Sequence, residues 1–149
     1  MCLTIKDSYL YPHRNTEIVT TKLSNTAKRD MIVYKRFNLR VKRDKTIVLI
    51  SPYQRKKYEV NMHYHQTGKE KFTFAWWNGE LCINRGLHAY VSYKDVNNNL
   101  FYDEYAVKCI IPKGSTYFLG KYGDIVSDNL IVTDKIYGYQ PIKKVKQKQ

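Results

Sequence analysis

Short runs of β-branched and aromatic residues recur along this chain, and no long window shows the period of an amphipathic helix. The runs at 45–50, 71–77 and 101–111 are bounded by Gly, Pro or Asn, which favour turns. Asn78-Gly79 follows one of them and is the strongest short hairpin signal in the sequence. The pattern therefore predicts an α+β fold, dominated by a strongly bent antiparallel β-sheet with one or two short helices.

The chain has 149 residues, a length that fits one domain around one core. We expect a lead-in over residues 1–26, with a short strand at 16–21, and a single globular domain over 27–140. Residues 141–149 are rich in Lys and have no apolar period, which predicts a basic C-terminal tail. The segment 93–99 ends in three consecutive Asn residues, which favour turns, so the sequence is compatible with either a short helix or a loop there.

Two segments alternate with the period of a strand that has one buried face. After a strand at 31–34, Phe37, Leu39 and Val41 are predicted to face inward and the basic residues between them to face solvent. The segment 58–65 alternates in the same way and predicts a second half-exposed strand. Trp76-Trp77 lies on a further strand, where one indole should face the core and the other solvent.

Charge is the strongest signal in the composition, because 26 Lys and Arg residues oppose 13 Asp and Glu residues and leave a net charge of +13. Such a field attracts anionic ligands and polyanions, although the bland alternative is a solvated face that only promotes solubility. Tyr53, Tyr58 and Tyr64 lie between basic residues and are predicted to offer stacking faces. The predicted nucleic-acid-binding residues are Arg36, Arg40, Lys42, Arg43, Arg55, Lys56 and Lys57.

A second candidate is a small pocket for a nucleotide. His88 and Tyr90 share a face of an extended segment, so an imidazole and a phenol are available together for a ribose or a phosphate. The alternative is an ordinary strand with a histidine that has no such role. Lys113 lies in a tight turn whose backbone amides can bind an anion. The full predicted ligand-binding set is His88, Tyr90, Lys35, Arg36, Tyr53, Lys113 and Asp128.

The sequence predicts no metal and no cofactor. His63 and His65 are spaced for one strand face, but no third ligand is close in the sequence, and metal sites need three or four. Cys82 and Cys109 lie in apolar runs and are predicted to be small core residues in a reducing compartment. Cys2 becomes the N-terminal residue if Met1 is removed, but no base that would activate it is evident.

Several segments together resemble a group of small proteins from tailed phages of gut bacteria. They are residues 30–35, 51–53, 86–90, 109–117 and 127–131, and the most distinctive is Ile-Pro-Lys-Gly-Ser at 111–115. Proteins of this group commonly begin with Met-Cys, as this chain does. The resemblance spans about residues 27–133 and implies a phage origin, with the host cytoplasm or the virion as the setting. It implies no mechanism.

A weaker resemblance is to the ADP-ribosyltransferase fold, carried by residues 34–36, 88–90 and 111–114. It implies an enzyme that acts on a nicotinamide dinucleotide held by His88 and Tyr90. Asp128 stands where that fold has a catalytic Glu, and its side chain is one methylene shorter.

The sequence favours a non-enzymatic phage accessory protein that binds an anionic ligand, either nucleic acid or a host nucleotide signal, with counteraction of host defence as its role. The alternatives are an ADP-ribosyltransferase-like enzyme and a structural component of the virion. The start lacks the order of a signal peptide and no apolar run is long enough for a membrane span, so we expect no membrane partner. The sequence predicts no oligomeric state.

Overall fold

The computed structural model describes residues 3–11, 15–52, 55–101 and 103–138. The strands and helices are β1 (Leu3–Thr4), α1 (Thr16–Leu23), β2 (Asn25–Thr26), β3 (Met31–Val41), β4 (Ile47–Ile50), β5 (Lys57–Tyr58), β6 (Met62–His65), β7 (Thr73–Trp77), β8 (Glu80–Arg85), β9 (Leu87–Tyr90), α2 (Tyr93–Asn97), β10 (Tyr105–Ile111), β11 (Thr116–Leu119), β12 (Asp124–Ser127) and β13 (Asn129–Gly138).

Most of the fold is one open antiparallel sheet with the strand order β2-β11-β12-β9-β3-β10-β13-β6. Strand β3 continues past this sheet and pairs with β4, which pairs with β5. A smaller sheet has the order β1-β8-β7. The prediction of a mainly antiparallel fold with two short helices is confirmed. The strong bend stays a prediction, as do the domain boundaries.

The hairpin predicted at Asn78-Gly79 is confirmed and joins β7 to β8. Both turn residues have positive φ, 50° and 77°, which Asn and Gly tolerate better than other residues do. The prediction for the tryptophan pair is also correct, because Trp77 is exposed while Trp76 is half-buried and donates from its indole nitrogen to the Thr16 hydroxyl.

The strand predicted at 16–21 is wrong, because these residues belong to helix α1. Asn15 begins the helix: its side-chain oxygen accepts hydrogen bonds from the backbone amides of Glu17 and Ile18. The segment 93–99, which the sequence left open, begins with helix α2. Ser92 caps that helix by accepting from the amide of Asp95.

Strand β3 is one long strand, and its predicted alternation is only partly correct. Phe37 faces the core as predicted, but Arg36 is buried and Val41 is exposed. The alternation fails because β3 is covered on both faces at its centre and lies in solvent at its end. The strand predicted over 58–65 is also wrong as a single element, because Asn61 has a φ of 59° and separates β5 from β6.

The core has a main cluster on one face of the large sheet, which includes Val33, Phe37 and Cys109. A second cluster joins the small sheet to the large one, with Leu81 and Ile83 against Val126 and Phe118. Cys82 and Cys109 are both buried, as the sequence predicted, and the redox compartment stays a prediction.

Candidate functional site

Lys35 is buried against the main core, on the inward face of β3 that it shares with Phe37. Its ammonium donates a hydrogen bond to the backbone oxygen of His88 over 2.7 Å, and it lies 5.5 Å from the ring centre of Tyr58. Burial lowers the pKa of Lys35 from 10.5 to about 8, and the Cys109 thiol acts in the opposite direction. No recorded ion pair between described residues includes Lys35.

His88 and Tyr90 point to the same face of β9, as predicted, but their surroundings differ. Tyr90 packs against α2 in a small cluster with Val96 and Tyr34. The Nε2 atom of His88 is buried and has no hydrogen-bond partner among the described residues. Burial, with the Lys35 charge as a second cause, lowers the pKa of His88 from 6.5 to about 4, so the ring is neutral at physiological pH.

Arg36 lies on the opposite face of β3 from Lys35. Its guanidinium donates to the backbone oxygen of Asn99 over 2.6 Å and lies 3.4 Å from a carboxylate oxygen of Glu104. The ring of Phe101 stands 6.0 Å from the guanidinium carbon. Arg36 was predicted to face solvent and contact phosphates, and these contacts instead bury it against the loop that follows α2.

The remaining predicted ligand-binding residues lie elsewhere. Asp128 is buried at the end of β12, where its carboxylate accepts from the backbone amide of Thr116 and pairs with the Lys71 ammonium at 2.9 Å. Lys113 lies in the predicted tight turn, and its backbone amide donates to Asp30. Tyr53 lies outside the described residues. Lys35 and the backbone of His88 are in direct contact, whereas Arg36, Asp128 and Lys113 make their recorded contacts with other partners.

The other predicted basic residues come together on the extension formed by the end of β3, β4 and β5. We call residues 38–58 the basic arm. The arm carries seven of the 26 Lys and Arg residues of the chain, six of which were predicted to bind nucleic acid, and one carboxylate, Asp44. Its 21 residues therefore hold +6 of the net charge of +13. No ion pair recorded between described residues includes an arm cation. All seven basic side chains are exposed: Arg40, Lys42, Arg43, Lys45, Arg55, Lys56 and Lys57.

Strand register fixes where two of these charges lie. Arg40 pairs with Val48, and Lys57 pairs with Ile50, two residues further along β4. Cross-strand partners share a face, and residues two apart on a strand share a face, so Arg40 and Lys57 lie on the same side of the arm. They are two strands apart and offset by two residues along the strands, a distance of roughly 12 Å between Cα atoms. Both cations are exposed at the two edges of this face, and the apolar Val48 and Ile50 between them are buried.

The opposite side of the arm differs from the prediction. Tyr58 was predicted to offer a stacking face, but it is buried, and burial raises the pKa of its hydroxyl to about 12. The Lys56 ammonium lies 5.2 Å from the Tyr58 ring centre and 5.8 Å from that of Tyr64. The predicted stacking role is therefore wrong for Tyr58, which belongs to the core.

Sequence analysis missed Lys45 as a member of this surface. It placed Lys45 at the start of a strand, but β4 begins at Ile47 and Lys45 lies in the turn, with a φ of 73°. The Lys45 amide donates to the Lys42 oxygen, and Asp44 accepts from the amide of Thr46. Asp44, a residue type that favours turns, was the available signal.

Searches of protein-family models, curated proteins and solved structures find no match to this chain. Among the described residues, no helix combines the length and the apolar character needed to cross a membrane.

Proposed function

We propose that this protein is a non-enzymatic accessory protein that binds nucleic acid through the phosphate backbone, with the basic arm as the contact surface. The observation that carries the proposal is the concentration of +6 net charge in 21 residues whose basic side chains are all exposed. Exposed Lys and Arg side chains gain affinity by releasing the counterions of phosphates. The phage setting comes from the sequence resemblance and belongs to the same proposal.

The form of the arm favours an extended polyanion over a small nucleotide. Its cations lie along strands and a turn, and Arg40 and Lys57 are about 12 Å apart across three strands. Because Tyr58 is buried, the arm lacks one of the rings on which an unpaired base would stack. We therefore expect contacts to the backbone, with little preference for base sequence.

The nucleotide and transferase alternatives have less support. Both need His88 and Tyr90 to hold a ligand, yet the Nε2 atom of His88 is buried and Tyr90 packs against α2. The transferase alternative also needs Asp128, whose carboxylate is engaged by Lys71 and the Thr116 amide. Such a carboxylate is poorly available to stabilise a developing positive charge.

The test is binding of a fluorescent 20-base-pair duplex, a single strand of equal length and a mononucleotide, each measured by anisotropy. We expect both nucleic acids to bind and the mononucleotide to fail. Arg40→Gln with Lys57→Gln should weaken binding about tenfold or more, because two phosphate contacts are lost. The matched control is Lys22→Gln with Lys135→Gln, which removes the same charge from exposed positions outside the arm and should change affinity much less.

Equal losses in the two double variants would mean that only net charge matters and would contradict a defined surface. Binding of the mononucleotide alone would favour the nucleotide alternative. Transfer of label from a nicotinamide dinucleotide to protein or nucleic acid would favour the transferase. Stoichiometric presence in purified particles would favour the virion component.

A further inference from the structure

Two histidines converge on one oxygen at the edge of the large sheet. His63 and His65 are exposed on β6, the last strand in the sheet order, and point to the same side. Asn129 on β13 lies directly opposite His65 in the register. Its side-chain oxygen accepts from Nε2 of His63 over 3.0 Å and from Nδ1 of His65 over 2.7 Å. Two ring nitrogens and one amide oxygen, each of which is able to coordinate a metal ion, therefore lie close together at one exposed point.

The orientation of the Asn129 amide is set by its neighbours. Its Nδ2 group donates to a carboxylate oxygen of Asp128 over 2.9 Å, so the other end of the amide, Oδ1, faces the histidines. Asp128 is itself held by the Thr116 amide and by Lys71. A carboxylate that accepts from the amide nitrogen also increases the electron density on the amide oxygen, as the outer partners of metal ligands do.

The two nitrogen–oxygen separations are close to those of adjacent ligands around a transition metal ion. Bonds of roughly 2.0–2.1 Å place adjacent ligands about 2.9 Å apart at the right angle of a six-coordinate or square-planar ion, and about 3.3 Å apart in a tetrahedral zinc site, for which the side chains move apart by a few tenths of an ångström. The recorded nitrogen–oxygen separations are 3.0 and 2.7 Å. No group of three His, Cys, Asp or Glu side chains among the described residues is suited to a metal, and the third donor here is an amide oxygen. Sequence analysis missed it because Asn129 lies 64 residues from His65.

We propose that His63, His65 and Asn129 form a binding site for a divalent transition metal ion of the zinc class. Two imidazole nitrogens and one neutral oxygen suit Zn²⁺, Ni²⁺ and Cu²⁺, and disfavour Mg²⁺ and Ca²⁺, which need more oxygen ligands. Each neutral ring binds the metal in the tautomer that carries its proton on the other nitrogen, and acidification weakens binding because an imidazolium has no free lone pair. Water fills the remaining positions, because the site is open to solvent.

The experiment is titration of the full chain with ZnCl₂ by calorimetry at pH 7.5. We expect His63→Ala and His65→Ala each to weaken binding about tenfold or more, in line with the cost of disturbing metal ligation. Asn129→Ala should weaken it as well, because that change removes the oxygen ligand. Met62→Ala is the matched control, since Met62 is exposed on the same strand and supplies no ligand in the proposal, and it should leave the affinity unchanged.

A second readout follows the ring nitrogens by nitrogen NMR. Zinc should shift Nε2 of His63 and Nδ1 of His65, because these atoms face Asn129. The proposal is overturned if the wild type does not bind zinc. It is equally overturned if the variant with both histidines replaced keeps the wild-type affinity while its circular dichroism is unchanged, or if only the ring nitrogens of other histidines shift.

Discussion

The ammonium of Lys35 lies 2.7 Å from the backbone oxygen of His88, at the point where β3 and β9 pair only through Tyr34 and Tyr90. The charge bridges two strands that separate from each other. No carboxylate is recorded as its partner among the described residues, so its burial costs stability that one hydrogen bond offsets only in part.

Replacing Lys35 by Met tests this cost. Met has a similar length and no charge, so we expect Lys35→Met to raise the free energy of unfolding at pH 7 by about 1–3 kcal/mol. Lys35→Arg keeps the charge in the same core and should lower that free energy. Urea unfolding measures both. A Met variant less stable than the wild type would mean that the bond to His88 outweighs the burial of the charge.

Because of His88, we expect the free energy of unfolding to fall in mild acid. Its pKa is about 4 in the folded protein, below its ordinary value of 6.5, so the unfolded chain binds the proton first as pH falls. The contribution of His88 is present above pH 6.5 and is lost as pH falls toward 4. Between pH 7 and pH 5 the loss is about 2 kcal/mol. Urea unfolding at pH 7 and pH 5 measures this loss. The free energy of unfolding of His88→Gln should fall between the two pH values by about 2 kcal/mol less than that of the wild type. Equal losses in the two proteins would contradict the low pKa of His88.

Gly86, which links β8 to β9, should not tolerate a side chain. Its φ is 152°, and a Cβ atom there would collide with Cγ1 of Val126. We expect Gly86→Ala to lower the free energy of unfolding by about 2–3 kcal/mol, because strain and overpacking add. Gly68 is the control: it has a φ of 91° with open space around it, so Gly68→Ala should cost only about 1 kcal/mol. Similar losses at both positions would rule out the collision as the cause.

Arg36 should matter for stability and not for nucleic-acid binding. Arg36→Gln leaves Glu104 buried without its ion-pair partner, which costs about 3 kcal/mol. Thermal unfolding measures this cost. Binding of the duplex, measured at a temperature where the variant is folded, should match that of the wild type. A loss of affinity in the folded variant would place Arg36 in the contact surface after all.

The success of sequence reasoning depended on how local each determinant is. The hairpin at Asn78-Gly79 was predictable because two adjacent residues specify the turn. Helix α1 was missed because its β-branched residues favour a strand, while the cap at Asn15 decides for a helix. The burial of Arg36 depends on a loop 63 residues away, which the period of one strand cannot reveal. For the same reason, the sequence predicted the positive charge of the arm but not which of its basic side chains share a face.

The most direct test of the central claim is the salt dependence of duplex binding. The logarithm of the binding constant should fall linearly with the logarithm of salt concentration, with a slope of about −0.9 for each phosphate contact. Replacing both Arg40 and Lys57 by Gln should reduce the magnitude of that slope by about 1.8, while the Lys22 and Lys135 double variant keeps the wild-type slope. An unchanged slope in the arm variant would contradict the basic arm as the binding surface.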